Sequence, residues 1–302
     1  MRLRHHDGTL VHLVYNAGVH PADDLENLIA HLTRYAVPVR RKLGVRRLGL
    51  GLWIPPAVAE HLIMDRIELV RLSRILAERG LEVVTLDGLR CGSRQPGARD
   101  LDWAKPERYR YTLNLARILS FLLPEDVAQG TITTLPLARR GDWPPALADI
   151  AARRLERLAK ELRSLATISG RTISVGFEPQ PGCVIETTDQ AAKQLAGFDP
   201  AHLGICLDTR HMAGAGRESL RPLASAGLPV IKVALQDEQC ERDTTLATLF
   251  GGEVPVTHHL ELDLPAARRP RTVTGLVTGL VTELDGTRRR LTQLGLTNVA
   301  AA

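Results

Sequence analysis

The sequence predicts a closed α/β barrel of eight parallel strands, a (β/α)8 TIM barrel. Three observations carry that expectation. Short runs rich in Leu, Val and Ile alternate with amphipathic stretches along the 302 residues, the pattern of repeated βαβ units. Eight such units favour a closed barrel over an open doubly wound sheet, and the chain exceeds the roughly 250 residues typical of one barrel. No GxGxxG or Walker A stretch follows any strand, so no nucleotide cofactor is expected.

The elements follow in order. Residues 11–17 read as the first strand, and 22–43 as a helix with Leu25, Leu28, Ile29 and Leu32 on one face. A second strand at 48–54 stops at Pro55-Pro56, and a leucine-rich helix runs to about 79, with Gly80 suited to its C-terminal cap. The third strand, 82–87, leads into a Gly-, Arg- and Pro-rich loop over 88–105, and Pro106 opens a helix to about 123. Strands at 131–135 and 172–178 flank a long helix at 143–169. Further strands at 203–208, 230–236 and 258–264 complete the set, with a closing helix over 272–294 whose Gly275 and Gly279 weaken it. One domain over 1–302 is expected, its pattern divergent or shortened from about 240.

Aromatics make up 4% of the chain, so the core is expected to be aliphatic and stacking platforms are few. The net charge of +5 is scattered in short arginine clusters such as Arg40-Arg41 and Arg288-Arg289-Arg290. These fit helix ends better than an aromatic-studded nucleic-acid face. Cys91, Cys183, Cys206 and Cys240 form no CxxC pair, no signal-like segment opens the chain, and no apolar run reaches ~18 residues. The expectation is a cytoplasmic protein with reduced thiols, no membrane span and no nucleic-acid partner.

In such a barrel the chemistry belongs to residues at the carboxyl ends of the strands. That rule selects Asn16 and His20 after strand one, Asp87 and Arg90 after strand three, and Glu178 after strand five. Strand six ends in Asp208, followed by Arg210 and His211. Lys232 and Gln236 share one side of strand seven, and His259, Glu261 and Asp263 one side of strand eight. An apolar strand that ends in a carboxylate is informative, because a buried carboxylate needs a cation, donors or a metal. Glu178 and Asp208, the latter within Asp-x-x-His, carry the expectation. Cys183 reads as structural, since nothing in the sequence marks a base beside it.

At these residues the chain resembles the xylose isomerase-like superfamily of sugar-phosphate isomerases and epimerases, on Glu178-Pro and Asp208-Thr-Arg-His211-Met. More narrowly it is similar to the metabolite-traffic barrel family of the bacterial ebo cluster. That likeness rests on Asn16-Ala-Gly-Val-His20-Pro, Thr85-Leu-Asp-Gly-Leu, Gly130-Thr-Ile-Thr-Thr-Leu-Pro-Leu, Glu178-Pro-Gln-Pro-Gly-Cys-Val-Ile-Glu186-Thr-Thr and Lys232-Val-Ala-Leu. The resemblance implies a divalent ion held by Glu, Asp, His and Glu from strands five to eight, with paired glutamates moving a proton. Glu178 and Asp208 match two ligands, His211 matches a substrate-contacting histidine, and Glu261 is the candidate for the last glutamate. The strand-seven histidine is replaced by Ala234. Mg2+ or Mn2+ would suit such oxygen ligands, and Lys232 offers a fixed positive charge in the ion's stead.

Three functions compete. The first is an isomerase or epimerase-like enzyme on a small polyol, cyclitol or sugar-derived metabolite. Glu178 or Glu261 would be its base, Lys232 or a metal the electrophile, and His211 a further catalytic group. Asn16, His20, Asp87, Arg90, Arg210, Gln236 and His259 would contact substrate. The second is a non-catalytic binding protein in metabolite handling. The third is a metal-dependent hydrolase or DNA-repair endonuclease, for which the chain offers few zinc ligands. A homodimer is compatible with all three.

Overall fold

The computed structural model describes residues 1–19, 22–89, 101–211, 216–236, 239–264, 270 and 272–299. Eight parallel strands form the barrel: β2 (Leu10–Asn16), β3 (Leu48–Trp53), β4 (Leu81–Asp87), β5 (Gln129–Thr134), β6 (Thr172–Phe177), β7 (Leu203–Asp208), β8 (Val230–Leu235) and β9 (His259–Leu262). They pair in chain order, and β2 pairs β9 with Val14 opposite Glu261, which closes the sheet. The expected barrel is the observed fold.

Two short strands add a strap the sequence pattern did not suggest. β1 (Arg2–Arg4) lies antiparallel against the start of β2, and β10 (Thr297–Asn298) against β1. At two or three residues each they are too short to show a period.

Around the barrel run α1 (Leu25–His31), α2 (Val37–Lys42), α3 (Pro56–Met64), α4 (Arg66–Glu78), α5 (Pro106–Leu122), α6 (Pro145–Ser169), α7 (Thr188–Leu195), α8 (Arg221–Ser225), α9 (Gln239–Phe250) and α10 (Val273–Gln293). Two expected helices are not single. The stretch expected over 22–43 contains a π-helical turn, Leu32–Ala36, where Val37 N donates to the Leu32 carbonyl five residues back. Pro38 explains it: without an N–H, and with its ring crowding the carbonyl four residues back, it cannot continue the ordinary ladder. The leucine-rich helix running to 79 breaks at Asp65, whose carboxylate accepts from the amides of Ile67 and Glu68 and so starts α4 afresh. α7 and α8 are short and α9 is weakly amphipathic, which is why periodicity passes over them.

The burial pattern separates two layers. Between sheet and helices the core is aliphatic, as the composition implies, with Leu50, Leu52, Val83, Ile132, Val175, Ile205 and Val233 all fully buried. Inside the barrel, beside Val14 and Cys206, many of the buried side chains are polar: Thr85, Thr131, Thr133, Asp208, Lys232, His259 and Glu261. Small residues make room for them. A Cβ on Gly51 would stand 2.2 Å from Glu261 Oε2, and one on Gly176 would stand 2.4 Å from Cys206 Sγ. A polar barrel interior is costly unless each group is paired, so it is there that function is sought.

Candidate active site

A cavity of about 340 Å³ opens at the carboxyl ends of the strands, within the roughly 300–1,000 Å³ usual for small-molecule sites. Its walls carry Asn16, Asp87, Glu178, Arg210, Lys232 and Gln236, with Glu261 also exposed to it. A larger cavity of about 530 Å³ beside it shares Trp53 but has none of the carboxylates that end β4, β6 or β7.

Glu178 directly follows β6, its amide donating to the Thr134 carbonyl at 3.1 Å, so the backbone of β5 fixes where the side chain leaves the sheet. Gln180 Nε2 donates to Glu178 Oε1 at 3.1 Å. The surroundings withdraw this carboxyl from water, which raises its pKa from the ordinary 4.5 to about 7. Lys232 opposes that rise, and Asp208 and Asp87 reinforce it. Near neutral pH, Glu178 is therefore populated in both protonation states.

Lys232 and Glu261 form a buried ion pair, Nζ to Oε1 at 3.1 Å, each side chain 2% exposed. Thr85 Oγ1 donates to the other oxygen, Glu261 Oε2, at 2.7 Å. Burial alone favours a neutral amine, but Glu261, Cys206, Asp87 and Glu178 hold the Lys232 pKa above its ordinary value. The ammonium is thus the cation that several strand-end acids share. Cys206, fully buried beside it, has its thiol pushed up to about 12 by burial and accepts a contact from Thr133 Oγ1 at 3.6 Å. It stays a thiol and serves as packing.

Asp208 ends β7 and is held from two sides. Arg210 reaches back with Nη2 to Oδ2 at 2.5 Å and Nε to Oδ2 at 3.1 Å. Gln236 Nε2 donates to Asp208 Oδ2 at 3.2 Å and to Asp263 Oδ2 at 2.9 Å. Asn16 Oδ1 accepts from the Gly18 amide, and Asp87 Oδ1 from the Leu89 amide, each at 2.8 Å. These bonds fix the rim of the cavity.

The structure therefore brings together Asn16, Asp87, Glu178, Asp208, Arg210, Lys232, Gln236 and Glu261. It places His259 elsewhere. Its ring lies one layer deeper, Nδ1 against Thr131 Oγ1 at 2.7 Å and the ring 5.4 Å from that of His12. Burial drives its pKa down to about 3, so it is a neutral core histidine and not a substrate contact. The expectation counted the correct face of β9 but not the depth. His20 and Arg90 lie outside the described residues, and His211 closes the 3-10 turn Thr209–His211. Sequence reasoning passed over Thr85, Trp53 and Gln180. A signal for Thr85 was available, since it sits two residues before Asp87 and so on the same face of β4.

The donor set of the described residues does not fit a divalent ion. Ala234 stands opposite both Asp208 and Glu261 in the register of β8 and offers only a methyl group. Glu261 is taken by Lys232 and Thr85, and Asp208 by Arg210 and Gln236. Among the described residues no group of three or more His, Cys, Asp or Glu side chains is arranged to hold a metal.

A closed parallel barrel gathers its convergent polar groups at the carboxyl face of the strands, where the small-molecule sites of this fold lie. The chain belongs to the xylose isomerase-like TIM barrel family, whose model matches residues 41–247. Among solved structures it is similar in fold to D-psicose 3-epimerase from Clostridium cellulolyticum H10, with 14% identity over 93% of this chain and 99% of that one, TM-score 0.62. It is similar also to the IolI protein with a bound zinc atom, 14% identical over 94% and 99%, TM-score 0.59. A third is 3-keto-D-glucoside 4-epimerase YcjR from E. coli, 12% identical over 91% and 99%, TM-score 0.55. No curated protein sequence matches the chain. Among the described residues no helix is long and apolar enough to cross a membrane.

Proposed function

We propose that the chain is a sugar isomerase or epimerase-like enzyme that moves a proton next to a carbonyl in a small polyhydroxylated metabolite. The observation that carries this reading is the Glu178 carboxyl, set in the cavity with Lys232 and poised between its two protonation states near neutrality. A base matched to the working pH can take a proton from carbon and give it back. As Glu178 removes the proton, the electron pair moves onto the carbonyl oxygen, and an adjacent buried ammonium stabilises the oxyanion that forms.

Glu261 holds the ammonium in place through the pair at 3.1 Å, so the moving proton is assigned to Glu178 alone, which takes it from one carbon and returns it on the same face to the neighbouring carbon, the transfer of an isomerase rather than an inversion. Asn16, Asp87, Arg210 and Gln236 supply the donors and acceptors that a polyol demands. Neighbours of the same fold named as sugar epimerases support the substrate class.

The test is deuterium exchange. Ketoses and keto-polyols incubated with the protein in heavy water are expected to take up deuterium next to the carbonyl, read by NMR. Glu178→Gln is expected to slow that uptake by about 10²- to 10⁴-fold. Unchanged uptake in the variant rules out the mechanism.

A second reading is ligand binding without turnover, in the handling of a metabolite, as the ebo-type likeness implies. One feature favours it: Asp208 and Glu261 are both already neutralised by cations of the chain itself. Calorimetric binding of a polyol without deuterium uptake would select this reading.

A further inference from the structure

Among the described residues the divalent ion that the barrel family implies finds no complete ligand set, and what stands among the carboxylates is a side chain. We infer that the Lys232 ammonium is this site's resident cation and that the site binds no divalent metal. The inference deepens the proton-transfer reading and rests on it for its chemistry.

Four features of the geometry support it. The Lys232 side chain leaves β8 one layer below Ala234, the residue that faces Asp208 on one neighbouring strand and Glu261 on the other. A methyl group at that level leaves the lysine room to extend toward the cavity, whose lining it joins. Its Nζ then meets Glu261 at 3.1 Å, with both groups 2% exposed. Glu261 is fixed in turn by Thr85 at 2.7 Å and by the bare backbone of Gly51, where any Cβ would collide with its carboxylate.

An ammonium carries three donors, of which Glu261 takes one, so donors remain for an oxygen entering the cavity. Electrostatics complete the case. A metal entering beside Glu261 would have to share that carboxylate with a unit positive charge a few ångströms away, and like charges at that distance repel strongly in a buried site. Asp208 is likewise occupied: the Arg210 amide and Nε donate to Oδ1, and Arg210 Nη2 and Gln236 Nε2 to Oδ2. A protein that needed a removable ion would gain nothing from this arrangement, whereas one that carries its cation on the chain needs each part of it.

The experiment reads metal binding and turnover separately. The purified protein is analysed for metals as isolated, then dialysed against a chelator and titrated calorimetrically with Mn2+ and with Zn2+. The expected results are no stoichiometric metal, no heat of binding assignable to the pocket, and a melting temperature that neither chelator nor added ion changes. Lys232→Ala frees Glu261 and is expected to bind Mn2+ or Zn2+ at least about tenfold more tightly than the wild type, because the repelling charge is gone.

One equivalent of Mn2+ or Zn2+ held by the wild type, and lost in Glu178→Gln, overturns the inference. So does a Lys232→Ala protein that folds yet binds neither ion better than the wild type. If Lys232→Ala does not fold, the wild-type titration decides alone. Failure here is distinguishable from failure of the functional reading. Deuterium uptake that appears only on adding a metal keeps proton transfer and removes the inference; exclusion of metal without uptake on any sugar does the reverse.

Discussion

A carboxyl pushed to about 7 changes two measurable quantities in opposite directions. Glu178 has an ordinary value of 4.5 and rises because the barrel mouth withdraws it from water. The folded protein therefore holds this proton more tightly than the unfolded chain does. Its contribution to stability is complete below pH about 4.5 and is lost as the pH rises through about 7. Activity runs the other way, since the resting base must be ionised: kcat/KM is expected to climb with pH and level off above about 7. Glu178→Gln should flatten the stability curve over that interval and remove the limb near 7 from the residual activity. A pH–rate curve without a limb near 7 would assign that limb's work to another residue. Glu178 was legible in the sequence because an apolar strand ended in an acid. Its shift was not, because it comes first from burial that only the closed barrel creates, and then from Asp208 and Asp87 acting against Lys232 from three other strands.

The helices show how far local pattern carries at the scale of an element. Apolar runs located all eight barrel strands, which are buried on both faces, and apolar spacing located the long helices, which bury one. It failed where a single residue interrupts a helix without interrupting its apolar stripe. Asp65 is such a residue: Leu62 before it and Leu69 after it are both buried, so the stripe looks continuous while the backbone restarts. The cap is what defines α4, through bonds of 2.9 and 3.3 Å to the amides of Ile67 and Glu68. Asp65→Ala is expected to cost about 1 kcal/mol, and Asp65→Ser to restore most of it, as read by urea unfolding. Equal stability of all three proteins would mean that the break is held by packing of α3 and α4 alone. His259 illustrates the same limit on a strand, where period two gives the face and says nothing of the layer.

Closure is a property of the whole molecule, and it depends on sequence that looked least regular. The family match ends at residue 247, yet β9, which closes the barrel against β2, and α10, which packs on β2, both lie beyond it. α10 buries Leu276, Val277, Leu280, Leu284 and Leu291. Each such side chain is worth about 1.5–3 kcal/mol when fully removed from water, so together they rival the about 5–15 kcal/mol by which a whole protein is stable. The strand after the helix also pairs with β1, which in turn pairs with the start of β2. A chain ending at Leu264 keeps every residue placed in the cavity and loses this cover. It is expected to show no cooperative thermal transition and weak near-ultraviolet dichroism. Adding residues 265–302 back within one chain should restore both. A sharp transition in the shortened chain would mean that the eight strands close by their own pairing, and would make the last helix an accessory to the fold.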